Sequence, residues 1–234
     1  MAHKALKVAL AERGMIMSRL QLYNFQLCPF AHRVCLTLAE KSLAAELIEI
    51  DLKNKPAGFS KISPYGKVPL LQHGDVKIWE SAIINGYLDE VFSDPPLMPA
   101  SPSDRALAHI WIKFADERLY AATHSLIFTR NDEARRKLVA QMFDSIQFLE
   151  HEVMAKRPGS GPYMFGDRFT LVDITLYPWF EQLGALQQFS QFRLPNGCVR
   201  LREWRQAVSE RKAVAQCARP TDWYAERYRT YLAA

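Results

Sequence analysis

Four prolines fall within the ten residues Ser93-Asp94-Pro95-Pro96-Leu97-Met98-Pro99-Ala100-Ser101-Pro102. No helix and no central strand can run through such a stretch, because each proline lacks a backbone donor and fixes its φ. It divides the 234-residue chain into two parts of different character. Before it, short apolar segments alternate between strand-like and helix-like patterns; after it, the apolar spacing is helical throughout. The reading is a tail over 1–18, a first domain over 19–92, a linker over 93–102 and an all-helical second domain over 103–234. Hydrophobic residues make up 49% of the chain and charged residues 24%. That mixture supplies a sizeable core and excludes a disordered or collagen-like chain. No run of about 18 uncharged apolar residues occurs, so neither a transmembrane helix nor stable membrane insertion is expected.

Lys and Arg number 30 against 25 Asp and Glu. The positive charges are scattered among acidic residues, which describes a mixed solvated surface rather than a nucleic-acid interface. A modest positive field also suits a small anionic ligand. The four cysteines, Cys28, Cys35, Cys198 and Cys217, are too sparse for a disulfide scaffold. None forms a C-x-x-C pair, so no metal site is expected, and a reducing, cytoplasmic setting fits. The apolar residues before Arg19 are broken by Lys4, Lys7, Glu12 and Arg13. They read as a tail with some helical periodicity rather than a secretion signal.

In the first domain Leu20-Gln21-Leu22-Tyr23-Asn24-Phe25 reads as a strand. Gln26-Leu27-Cys28-Pro29 turns into a helix whose apolar face carries Ala31, Val34, Cys35 and Leu38. Leu47–Leu52 is a second strand, and the helix between the two makes the pair a parallel β-α-β unit. Val68-Pro69-Leu70-Leu71 and Val76-Lys77-Ile78-Trp79 flank His73-Gly74-Asp75 as an antiparallel hairpin. Ser81 is placed as the N-cap of a further helix carrying Ile83, Ile84, Tyr87, Leu88 and Val91. The sum is an α/β domain built on a four-stranded mixed sheet. In the second domain helices are expected near 104–129, 133–156, 171–189, 199–210 and 221–232. Thr170 and Asp173 form a capping box at the third, and Pro178 is expected to kink or end it.

Cys28 carries the chemistry. It stands at a strand-to-helix turn, directly before a proline suited to the first helical turn. Free N–H groups and the positive end of the helix would there lower a thiol pKa. A small buried residue that happens to precede a helix is the other reading. Position 31 is Ala, so no resolving cysteine follows. A lone thiolate points to exchange with an external thiol, for which intracellular glutathione is the natural candidate. Val68-Pro69 would suit a cis bond that turns the Val68 backbone outward to pair with a peptide, or an edge-strand proline. Glu80-Ser81 could hold an ammonium and a carboxylate at a helix start, or simply cap it. Lys53 and Lys55 follow the second strand and could pair with another carboxylate or face solvent.

The ordered set of segments resembles the glutathione transferase superfamily, and most closely its omega class. Cys28-Pro29-Phe30-Ala31-His32-Arg33 is similar to that class's Cys-Pro-Phe-Ala-x-Arg. Asp51-Leu52-Lys53-Asn54-Lys55-Pro56, Ser63-Pro64-Tyr65-Gly66-Lys67-Val68-Pro69, Glu80-Ser81-Ala82-Ile83 and Tyr87-Leu88-Asp89-Glu90 follow in the family's order. Phe165-Gly166 and Pro178-Trp179-Phe180-Glu181 continue it through the second domain.

The resemblance implies a thioredoxin-like N-terminal domain, an all-α C-terminal domain, a homodimer and one glutathione site per chain. It implies that Cys28 forms a mixed disulfide with glutathione, with Phe30 beside it. Lys55 would meet the glycyl carboxylate, Val68 the cysteinyl backbone, and Glu80 and Ser81 the γ-glutamyl end. Pro69 would be cis. A second-substrate pocket would lie between the domains, with Trp179 and Trp223 as candidates and core aromatics as the other reading of each. His32 is expected to face solvent rather than act as a base. The implied activity is thiol transfer or reduction of the dehydroascorbate type, on a small electrophilic, oxidised or glutathionylated substrate. Conjugation of glutathione to electrophiles and a non-enzymatic interaction module remain the alternatives.

Overall fold

The computed structural model describes residues 19–157, 159–190 and 192–233; the helical tail expected before Arg19 lies outside them. Strand β1 (Leu20–Asn24) alternates buried and half-buried residues, as a strand with one fully covered face must. Helix α1 (Pro29–Glu40) follows, then β2 (Ala45–Glu49), parallel to β1 with Leu22 opposite Leu47. Strand β2 begins and ends earlier than the apolar run suggested. Ile50 leaves it by donating its N–H to the Asn24 carbonyl.

A single helical turn, α2 (Phe59–Ile62), went unread because four residues show no period. Strands β3 (Leu70–His73) and β4 (Val76–Trp79) form the expected hairpin around Gly74-Asp75. The sheet order is β2-β1-β3-β4, mixed as expected. Helix α3 (Ser81–Val91) returns across it. Leu22, Val34, Leu38, Leu71, Ile84 and Leu88 form the core between the sheet and α1 and α3. Each such side chain contributes about 1.5–3 kcal/mol when fully buried. Ile50, Phe59 and Val68 make a smaller cluster, against which Tyr23, Phe25 and Cys28 pack.

Past α1 the buried Lys41 uses its three ammonium protons on three oxygens. These are the carbonyls of Phe92 and Pro95 and the Asp89 carboxylate, each at 2.7 Å. The charge is satisfied, and the start of the proline-rich stretch is tied to the first domain. The chain divides into two compact units, one ending at Pro96 and the next beginning at Leu97.

The second unit is helical. Helix α4 (Pro102–Phe114) passes through wide π-type turns (Ala115–Tyr120) into α5 (Ala121–Phe128). Helix α6 (Asp132–Phe148) likewise runs into π turns (Leu149–Met154). Then come α7 (Leu171–Ser190), α8 (Val199–Ser209), the short α9 (Lys212–Cys217) and α10 (Thr221–Ala233). Ser101 and Asn131 cap α4 and α6 by accepting from the N–H groups of Asp104 and Ala134. The capping box of α7 forms: the Thr170 N–H donates to Asp173 Oδ2 at 2.8 Å. Among the described residues no helix is long and apolar enough to cross a membrane.

Helix α7 runs on through Pro178, so of the kink or end expected from sequence the end does not occur. The reason is a hydroxyl from another helix. Tyr120 Oη accepts from the Trp179 N–H at 3.0 Å and donates to the Thr175 carbonyl at 2.9 Å. It therefore links these two groups of consecutive turns from outside the helix. We expect Tyr120→Phe to remove both of these buried hydrogen bonds and to destabilise the protein by about 1–3 kcal/mol. Urea unfolding checks it; an unchanged midpoint would mean that the helix holds without the hydroxyl.

Candidate functional site

The first unit carries an open groove. Its walls are Phe30, Ser63, Tyr65, Lys67, Val68, Pro69, Trp79, Glu80 and Ser81. Five of these, Phe30, Val68, Pro69, Glu80 and Ser81, are residues singled out from the sequence.

Cys28 is the N-cap of α1 and Pro29 its first helical residue. The cap is built from the backbone: the Cys28 N–H donates to Phe25, and the Cys28 carbonyl accepts from His32. The side chain is left for other work. Sγ donates to the Val68 carbonyl at 3.8 Å, which joins the thiol to the groove wall. The expected drop in thiol pKa does not occur. Burial pushes it up, and this outweighs the backbone N–H groups of Ala31 and Phe30 and the positive charge of Arg33. Glu49 raises it further. Dipole effects at a helix end amount to about 0.3–1 kcal/mol, less than burying a thiolate costs. The resting group is a thiol.

Ser63 shapes the loop into Val68. Its hydroxyl donates to the Lys67 carbonyl and accepts from the Lys67 N–H, and its carbonyl accepts from the Gly66 N–H. Gly66 has φ +58°, a conformation that L side chains rarely adopt. The Val68–Pro69 bond is cis, and strand β3 starts only after it. Lys55 is exposed, outside the groove walls. A β-carbon on Gly66 would stand 3.6 Å from its Nζ, so the ammonium lies over the loop between Tyr65 and Lys67.

Glu80, not Ser81, is the N-cap of α3, and its φ is +67°. A non-glycine residue held there stores about 1–3 kcal/mol of strain, a cost that clusters at functional sites. Ser81 is the first helical residue, buried, and its Oγ accepts from Arg33 Nη1 at 3.2 Å. Arg33 was missed from the sequence. The signal was a lone cation inside a helix whose neighbours are mostly apolar. Lys67 and the edge-to-face pair of Tyr65 and Trp79, with centroids 6.2 Å apart, were also missed.

Three further expectations are corrected or refined. His32 is 8% exposed rather than solvent-facing. Trp179 is a core residue: 1% exposed, its indole N–H donates to Thr123 and its ring stacks edge-on against Phe180. It has no surface left for a substrate. Trp223 is half-buried, with the Arg227 guanidinium 3.8 Å above its ring. Among the described residues no group of three or more His, Cys, Asp or Glu is placed to hold a metal ion.

Comparison with known proteins places these features. Residues 22–96 match the family model described as glutathione S-transferase, N-terminal domain, and residues 132–207 the corresponding C-terminal domain. A probable glutathione S-transferase of Glycine max is 31% identical over 88% of this chain and 92% of its own length. The crystal structure of a Tau class glutathione S-transferase from mango, Mangifera indica, superposes with a TM-score of 0.81 at 27% identity. It covers 91% of this chain and 98% of that one. A glutathione transferase Omega 3C from Trametes versicolor superposes at 0.78 over 96% of this chain and 95% of its own, at 24% identity, a likeness of fold alone.

Proposed function

We infer the reaction from one premise: the chain belongs to the glutathione S-transferase family. Its thioredoxin-like domain and helical domain are that family's architecture, and its activity is that of a glutathione S-transferase. The finer reading is thiol transfer at Cys28, of the omega type that Cys28-Pro29-Phe30-Ala31 resembles. In this reading the γ-glutamyl end of glutathione meets Glu80 and Ser81, its cysteinyl backbone meets Val68 and Pro69 beside Phe30, and Lys55 reaches the glycyl carboxylate. Trp223 is kept as a second-substrate contact. The enzyme works as a homodimer in a reducing, cytoplasmic compartment, which suits its four free cysteines.

The observation that carries this reading is the place of one sulfur. Cys28 sits at the start of α1, in hydrogen-bond contact with the Val68 carbonyl of the groove. The Cys28 thiol first loses its proton to water; the thiolate attacks the glutathionyl sulfur of a mixed disulfide, and the substrate thiolate leaves with the electron pair of the old S–S bond. A second glutathione thiolate then attacks the Cys28–glutathione disulfide. It releases Cys28 as thiolate and oxidised glutathione as product.

A second reading is conjugation to electrophiles. It is favoured by the raised thiol pKa, which leaves Cys28 protonated and able to donate to the thiolate of bound glutathione. Matched proteins named as the Tau class are consistent with it. Intact mass after incubation with oxidised glutathione separates the two. Thiol transfer predicts one glutathione adduct on wild type, removed by reduced glutathione and absent from Cys28→Ser. Wild type that binds glutathione but forms no adduct would leave conjugation.

A further inference from the structure

We propose that Glu181 is a positioning residue: from helix α7 it fixes where α10 holds Trp223, and so sets the KM of the second substrate. The proposal rests on Trp223 being a second-substrate contact, as read above. Glu181 is buried in the middle of α7. Its Oε1 accepts from the Tyr224 hydroxyl at 2.6 Å and from the Arg219 N–H at 3.3 Å. Both donors belong to neighbours of Trp223. Tyr224 follows it on α10, and the two rings meet edge-on with centroids 5.1 Å apart. The guanidinium carbon of Arg219 lies 5.8 Å from the centre of the Trp223 ring. One carboxyl oxygen thus holds the chain on both sides of the indole.

Two further contacts pin the same face of α10. Tyr228, one turn beyond Tyr224, donates its hydroxyl to Gln182 Oε1 at 2.6 Å. A β-carbon on Gly184 would stand 2.9 Å from Thr221 Cγ2, so the first residue of α10 lies close on α7. Thr221, Tyr224 and Tyr228 are three and four residues apart and share one side of the helix. Trp223 stands outside that side, half-buried, with Arg227 one turn on and 3.8 Å from its ring. Its place is therefore set by bonds that it does not make itself. Glu181 ties α10 to the loop before it, at the end of the helix that carries Trp223. With leucine at 181 the Tyr224 hydroxyl and the Arg219 N–H lose a buried acceptor and must turn to water, which shifts the start of α10. Glutamine keeps Oε1. The Tyr177 hydroxyl, which also bonds the Glu181 carboxyl, accepts from an NH₂ as readily as it donates to an oxygen.

The test is steady-state kinetics of the full chain. The second substrate is a glutathionylated peptide, or 1-chloro-2,4-dinitrobenzene where wild type conjugates instead. Trp223→Ala should raise the KM of that substrate by about fivefold or more, the size of a lost aromatic contact. Glu181→Leu should raise the same KM by about fivefold, while kcat and the KM of glutathione stay within about twofold. Glu181→Gln should stay within about twofold of wild type in all three. In the Trp223→Ala background Glu181→Leu should raise the KM no further, because a residue that acts through another adds nothing once the other is gone.

An unchanged second-substrate KM in Glu181→Leu, an equal rise in the KM of glutathione, or a full further rise in the Trp223→Ala background would overturn the proposal and leave Trp223 in its role. Trp223→Ala with an unchanged second-substrate KM would overturn the reading of Trp223 and the proposal with it. Wild type that turns over neither substrate would do the same. Tyr224→Phe serves if Glu181→Leu does not fold. It keeps the ring and removes the bond to Glu181, and it must raise the second-substrate KM selectively. An unchanged value there would show that Glu181 does not position the indole.

Discussion

Cys28→Ser is expected to abolish glutathione-dependent reduction of a mixed disulfide, with a fall of roughly 10³-fold or more. A serine oxygen cannot form the disulfide intermediate. Cys35, the other cysteine of the first unit, packs against that unit's core. The substitution should leave the fold in place, because the cap at this position is made by backbone groups and not by the sulfur. The wild-type rate should also depend on pH with a definite sign. Burial raises the thiol pKa, so less thiolate is present at neutral pH than in a free cysteine. The rate should keep climbing with pH past the ordinary thiol range. Turnover of a glutathionylated peptide by both proteins across pH checks this. Full activity in Cys28→Ser would overturn the mechanism. Loss of thiol transfer with a gain in aryl-halide conjugation would show that a hydroxyl at this point serves the thiolate of glutathione itself.

The contrast between what could and could not be read from sequence follows the range of the interactions. The hairpin was legible because Gly74-Asp75 and the flanking apolar residues sit within ten positions of one another. The capping box was legible for the same reason, and the β-α-β unit because each of its elements shows its own apolar period although the paired strands lie 25 residues apart. That the helix continues past Pro178 was not legible, because the hydroxyl beside it, Tyr120 Oη, bonds a residue 59 positions away. The thiol pKa of Cys28 was misread in a related way. The helix start that lowers it is local, but the burial that raises it comes from Val68, Ile50 and Phe59, brought together only by the fold. Ser81 was placed as a cap because serine favours that position. In the structure a glutamate with positive φ takes the cap, and this leaves the serine hydroxyl to the groove. Arg33 was hidden by its charge: charged residues are presumed exposed, and only the packing of α1 shows otherwise.

Asp173→Ala is expected to destabilise the second unit by about 3 kcal/mol or more, above the effect of Tyr120→Phe. Asp173 is fully buried and accepts four hydrogen bonds. They come from the Met164 N–H at 2.9 Å, the Thr170 N–H at 2.8 Å, the Thr170 hydroxyl at 3.0 Å and the Trp204 indole at 2.8 Å. One carboxylate thereby joins the loop before α7, the first turn of α7 and the buried face of α8. Its removal strands two backbone N–H groups and an indole N–H where water does not reach, and each carries its own desolvation cost. A local capping role would predict only about 1 kcal/mol. The magnitude therefore separates a cap from a hub. Asp173→Asn keeps the volume and one acceptor oxygen but aims an NH₂ at donors, so it should lose nearly as much. Urea unfolding followed by tryptophan fluorescence gives the free energies. Amide exchange at Met164 and Thr170 shows whether both N–H groups are released together. A loss near 1 kcal/mol with exchange confined to Thr170 would reduce Asp173 to a cap; a larger loss with both amides exposed would establish it as the junction of three elements.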